Sequence, residues 1–161
     1  MKINDFINEY NSKSDREKEP FVKKHIITDY VPYEEKIAEC KNIIKNSMYT
    51  ADGAFNDNQT TRYMLFTLAV VKYYTDLEVN YDNVLEDFNL IERYGISDSL
   101  RELIEDYLRF VTVLNMMVDD VVAKETDLIG FINDKLNALQ MLFELLADQE
   151  VKIDGQEETG F

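Results

Sequence analysis

The chain has 161 residues, a formal net charge of −15, five glycines, two prolines and one cysteine. That length suits one domain, which buries roughly 70% of its unfolded surface and needs no disulfide or metal to fold. So few turn-formers argue against a β-sandwich or barrel, one thiol excludes an internal disulfide, and the acidity argues against unaided binding to nucleic acid or membrane.

Ile3, Phe6, Ile7 and Tyr10 fit one face of a short N-terminal helix. Asn11 to Pro20 is polar and of mixed charge. It reads as a linker, or as frayed helix ending before Pro20. Phe21 to Val31 is the best strand candidate of the first third, because Ile26, Ile27, Thr28, Tyr30 and Val31 favour extended backbone. Pro32, Glu34 and Glu35 suit the first turn of a helix running to about Lys45, with Ile37, Cys40, Ile43 and Ile44 as its buried stripe.

Asp52-Gly53, between Met48-Tyr49-Thr50 and Ala54-Phe55, is a hairpin signal. Such a ribbon is marginal alone and would be steadied by the strand near residues 24–28. Thr60 is a candidate N-cap for a well-buried helix to about Tyr74. A helix from Asn80 or Asp82, with Val84, Leu85, Phe88 and Ile91 inward, ends at Gly95. Ser97 then caps a long helix carrying Tyr107 to Val122, whose middle is apolar except at Thr112 and Asn115. A helix apolar on nearly every side has to be covered on nearly every side. Thr126 or Asp127 caps a last helix with a stripe of Leu128, Ile129, Ile132, Leu136, Leu139, Leu142, Phe143 and Leu146.

Together these elements predict a mainly α fold. It is a single helical bundle around a buried central helix (about 97–123), with a small β-hairpin or three-stranded ribbon (about 22–30, 48–57) at its side. Residues 1–20 form a short helix and polar arm, 21–148 the bundle domain, and 149–161 an acidic mobile tail.

No residue cluster specifies a reaction. His25 has no second histidine, so a zinc site of the usual type cannot be assembled from it and Cys40. Cys40 falls on an apolar stripe and reads as core. Glu102, Glu105 and Asp106 form one group of carboxylates, and Asp119 and Asp120 lie beside Glu125 and Asp127. Oxygen ligands suit Mg²⁺ or Ca²⁺, but adjacent residues point to different helix faces and no D-x-D-x-D-G loop is present. A solvated acidic face is the favoured reading. No catalytic residue, metal or cofactor is assigned.

Binding is the more informative question. Ten tyrosines and nine phenylalanines with no tryptophan exceed what one bundle needs inside. Tyrosine suits interfaces, and Tyr30, Tyr33, Tyr49, Tyr73, Tyr74 and Tyr81 are the candidates. Residues 1–50 are neutral, with nine basic and nine acidic residues, so the excess acidity follows residue 50. Glu102, Glu105, Asp106, Asp119 and Asp120 make the candidate acidic face.

Two stretches, V-K-K-H-I-I-T-D-Y-V-P-Y-E-E-K (Val22 to Lys36) and R-Y-M-L-F-T-L (Arg62 to Leu68), resemble small α-helical proteins encoded by phages and prophages of Gram-positive bacteria. The resemblance covers about the first half of the chain and carries no functional residue across. It implies a phage context among virion-structure genes.

The leading expectation is a non-catalytic head, connector or tail component, or an assembly chaperone. It would act through protein partners, with self-assembly into an oligomer as one form, and without direct contact to nucleic acid or membrane. The alternative is an acidic inhibitor that mimics nucleic acid and occupies a basic groove of a host defence or transcription protein. A carboxylate metal enzyme comes third. Either leading reading places the chain in the cytoplasm of an infected bacterium or in the assembled virion. The lone cysteine and the absence of a basic-then-apolar opening suit a reducing compartment without secretion.

Overall fold

The computed structural model describes the backbone of residues 1–157 and the side chains of residues 1–141. The chain is mainly helical and divides into two compact units, Met1–Val118 and a second that begins at Asp119. Helix α1 is Ile3–Asn11, α2 Asp15–Lys24, α3 Tyr33–Met48, α4 Gln59–Tyr74, α5 Val84–Arg93, α6 Ile96–Leu103 and α7 Tyr107–Glu157. In the first unit α3 packs on α4, α4 and α6 on α5, α1 on α5, and α2 on α6 and α1.

Several of these helices follow directly from local chemistry. Ile3, Phe6, Ile7 and Tyr10 are all buried on α1. The Asn58 side chain, and not Thr60, caps α4 by accepting from the Thr61 N–H at 2.9 Å. Gly95 ends α5 and opens α6 in one step. Its φ of +65° is a left-handed conformation that a side chain would strain.

Helix α4 is the buried one. Phe66 through Val71 are consecutively buried, and Tyr74 is fully so. Against it pack α3, with Ile43, Ile44 and Met48 buried, α5, with Ile91 buried, and Phe110 of α7, while Ile96 and Leu100 of α6 are buried further along the same core. The Phe110 ring sits 5.2 Å from that of Phe66 and 6.3 Å from that of Tyr74, in the edge-on and tilted geometries that aromatic quadrupoles favour.

Four expectations are corrected. First, no strand forms among the described residues, so neither the β-hairpin nor the three-stranded ribbon exists; there are isolated bridges at Lys2–Glu78, Ile26–Thr75 and Tyr49–Phe55. Gly53 does turn the chain at φ +84°, donating its N–H to the Thr50 carbonyl at 2.9 Å. The pairing stops after one bridge because α3 ends at Met48, immediately before Tyr49, and α4 starts soon after, at Gln59.

Second, residues 15–24 are one helix that runs through Pro20, where the expectation was a linker, or frayed helix ending before Pro20, followed by a strand. The Glu17 carboxylate reaches back to the Ser14 N–H at 3.0 Å, half of a Ser-x-x-Glu capping box that starts the helix. Pro20 is accommodated inside it, at the cost of the bond its missing N–H would have donated to Arg16.

Third, the expected helix 97–123 is two helices. The chain breaks at Ile104–Asp106, between α6 and α7. Nor is the apolar stretch after it covered all round. Phe110 and Leu114 are buried, but Leu108 is 66% and Met116 64% exposed.

Fourth, no boundary occurs at Thr126, because α7 continues through Glu157. The tail expected at 149–161 is helical backbone to that point, and its mobility concerns side chains and a terminus outside the described residues. In the second unit every residue from Thr126 to Met141 is exposed.

Phe110→Ala should lower the unfolding free energy by about 3–5 kcal/mol, the cost of truncating a buried aromatic. Met116→Ala, one and a half turns further along, should stay within about 0.5 kcal/mol of the parent. Urea denaturation of both variants checks the contrast, and a large effect at Met116 would restore the all-round buried helix.

Candidate functional site

The densest polar constellation lies where α7 begins. Asp106, at the turn before that helix, is 3% exposed, and Lys36 of α3 is 2% exposed. The Lys36 Nζ sits 2.7 Å from Oδ1 of Asp106 and 2.5 Å from Oδ2. The Val31 N–H donates to Oδ2 at 3.1 Å and the Tyr74 hydroxyl donates to it at 2.8 Å. On the outer side the half-exposed Tyr30 ring lies 4.8 Å from Nζ, in cation–π geometry. Burial opposes the charge on Asp106, but bonds from Lys36, Val31 and Tyr74 outweigh it and hold the carboxyl below its ordinary range. Burial, with the Asp106 charge second, pushes the Tyr74 phenol upward.

These partners define what the cluster can do. Asp106 is ionised and its oxygens are occupied, while Tyr74 keeps its proton. At neutral pH neither Asp106 nor Tyr74 is poised to exchange one. The cluster joins the segment before α3, α3 itself, α4 and the start of α7, so it works as a structural junction.

Other titratable groups are similarly engaged. His25 Nδ1 lies 2.8 Å from Oδ1 of Asp76, and its ring is packed edge-on against Phe6 and Phe21. Asp87 accepts from the Asn80 N–H at 2.6 Å. Burial, reinforced by the Glu39 charge, pushes the Cys40 thiol up to about 11, far from a reactive thiolate. Among the described residues no three of His, Cys, Asp and Glu come together as a metal-holding group, and no helix is long and apolar enough to cross a membrane.

The candidate tyrosines separate. Tyr74 is fully buried and drops out as an interface residue. Tyr73 is half-buried and donates to Glu39 at 3.0 Å, and the half-buried Tyr49 packs edge-on against Phe55. Tyr30, Tyr33 and Tyr81 are exposed. The first two share an open groove of about 430 Å³ with Leu108, Thr112 and Val113. A second groove of about 330 Å³ is lined by Tyr63, Phe66, Tyr107, Val111 and Leu114, with Arg62 and Arg101 at its edge.

The candidate acidic residues separate too. Glu102 and Glu105 are exposed on the first unit, and Asp119 and Asp120 are exposed on the second. Asp106, placed among them by sequence, is withdrawn into the junction. Sequence could not show this, because its cation lies on another helix, far back in the chain.

Among the described residues the densest run of exposed large apolar side chains is on α7. Leu128, Ile129, Phe131, Ile132, Leu136, Leu139 and Met141 are 47–66% exposed. Sequence singled out this stripe but assigned it to the chain's own core. Within it Ile129 and Leu136, and Ile132 and Leu139, repeat every seven residues. Comparison with family models, curated proteins and solved structures gave no match.

Two expected outcomes follow for the junction. Lys36→Met strands a buried carboxylate and should cost about 3–5 kcal/mol, whereas Lys36→Met with Asp106→Leu should recover most of it. A single-variant cost below about 1 kcal/mol would mean the pair behaves as a surface contact. Because Asp106 has a lowered folded value, its contribution is fully present above about pH 4 and lost as pH falls through that value. Tyr74, raised when folded, contributes below about pH 10 and loses that contribution in alkali. Stability against pH should therefore flatten on the acid limb in Asp106→Asn and on the alkaline limb in Tyr74→Phe.

Proposed function

We propose that the chain is a non-catalytic protein that works through protein–protein contacts, as a phage-type structural or assembly component such as a head, connector or tail part or an assembly chaperone. The observation that carries this reading is the exposed apolar stripe on α7. An isolated helix gains nothing from presenting Ile129, Ile132, Leu136 and Leu139 to water, and patches of this kind mark interaction surfaces. The phage-like stretches supply the context, in an infected cytoplasm or an assembled virion. The buried charged groups of the first unit, Lys36, Asp106 and Asp87, are internally engaged, which suits a scaffold better than a reaction centre.

The acidic mimic is the weaker reading. Withdrawal of Asp106 into its ion pair leaves only Glu102 and Glu105 of that carboxylate group at the surface, which shortens any phosphate-like row.

A photo-crosslinking phenylalanine at Phe131 in the full chain tests the contact reading. Illumination should give adducts, whether to the chain itself or to another protein. Ile132→Lys with Leu136→Lys should cut their yield about tenfold or more. Raising salt from about 0.1 M to about 1 M should leave it intact, since apolar contacts are not screened. Adducts that survive the lysine pair and vanish in salt, or that depend on Glu102 and Glu105, would move the assignment to the mimic. No adduct of any kind would end the contact reading.

A further inference from the structure

We infer that the occupant of the α7 stripe is a second copy of this chain, wound against it as a coiled coil. This rests on the contact reading above and names its partner. The first argument is the period. In a heptad lettered a to g, Val122, Ile129 and Leu136 take the a positions, and Ile132 and Leu139 take d, as does Glu125. The sequence continues this register at Phe143 and Leu146, so it runs for more than three heptads. A straight helix lying on a globular core follows a repeat near 3.6 residues, whereas a strict seven-residue repeat is what keeps a seam facing a supercoiled neighbour.

The second argument is where the charge is placed. Asp120, Asp127 and Asp134 are seven apart and all fall at f, the position farthest from an a/d seam. In a parallel pair the flanking g and e′ positions match Val121 with Thr126, Leu128 with Asn133 and Lys135 with Gln140. None of those matches sets like charges against each other, so along these flanking positions an acidic chain meets its copy without the repulsion that its net charge would otherwise impose, and the like-charge match of the described seam is Glu125 with its own copy. A basic or acidic foreign partner would instead call for charge along the g and e positions. Glu125 is the charged seam residue among those described, and it sits at the first d position, at the edge of the apolar run.

The third argument is accessibility. Ile129, Ile132, Leu136 and Leu139 are each about half exposed. A helix side chain in that state makes one half of a knobs-into-holes layer, and an identical helix supplies the other half.

Sedimentation of the full chain from about 1 µM to about 100 µM tests this. The chain should sediment at a multiple of its single-chain mass, and the multiple reads the number of helices in the coil. Ile132→Lys with Leu136→Lys should raise the dissociation constant about a hundredfold or more and return the single-chain mass. Asp127→Lys with Asp134→Lys, at the outer face, should sediment as the parent does. Unchanged near-ultraviolet circular dichroism of the tyrosines in both variants would show that the first unit remains folded. A parent that stays single at the highest concentration overturns the self-association, while photo-adducts to another protein would still uphold the contact reading. Association that survives the seam variant, or that the outer-face variant abolishes equally, overturns the register.

Discussion

The ionised carboxylate of Asp106 is the constraint around which the first unit is arranged. A charge removed from water must be matched or it costs more than any single packing contact can return. Here it is matched from three directions, by Lys36, by the Val31 N–H and by the Tyr74 hydroxyl. Those partners sit on segments far apart in sequence, so satisfying one carboxylate fixes the start of α3, the end of α4 and the start of α7 together. The pair does not by itself supply the stability, since a buried ion pair is often no better than an apolar replacement. That comes from the aromatic and aliphatic core around α4, in which Phe66, Tyr74 and Phe110 meet. What the ion pair supplies is position. It also explains the interruption at Ile104–Asp106, because a continuous helix could not turn Asp106 inward while also keeping Ile104 and Phe110 in the core.

How much of this was legible depended on whether the deciding interaction was local. The stripe Ile3, Phe6, Ile7, Tyr10 needed no knowledge beyond its own spacing, and Gly95 marked a helix end through its conformational freedom. Cys40, Ile43 and Ile44 were legible for the same reason. The buried face of α3 turned out to include Lys36 rather than Ile37, because the partner that makes a buried lysine tolerable lies on α7. Ile26, Ile27 and Val31 suggested a strand through intrinsic preference. The Ser14–Glu17 cap upstream had already committed residues 15–24 to a helix, leaving too little chain for a ladder. Asp52-Gly53 made the turn it promised, but a turn is not a sheet.

The α7 stripe was legible as apolar and helical, while its location was not. Periodicity says that a face will be buried, and it does not say in whose interior. The same residues read as the inner stripe of a last bundle helix or as a seam between chains. What favours the seam is the strict seven-residue repeat together with the placement of Asp120, Asp127 and Asp134 opposite the stripe. The acidic candidates show the complementary limit. Glu102 and Glu105 stay at the surface while Asp106, one residue further on, is enclosed, and nothing in the local sequence distinguishes them.

The order of the two units along the chain bears on how the protein is made. A ribosome delivers about 5–20 residues per second. Asp106 is the last member of the junction to emerge, and Asp119 to Leu139 follow it over about one to four seconds at that rate. Small helical domains fold in microseconds to milliseconds. The nascent chain thus has time to close its own core, with Phe110 and Tyr74 inside, before most of the seam residues have emerged from the ribosome. Newly made chains on one message would then meet through finished domains, and the adhesive helix would not be available to trap a neighbour's unfolded core.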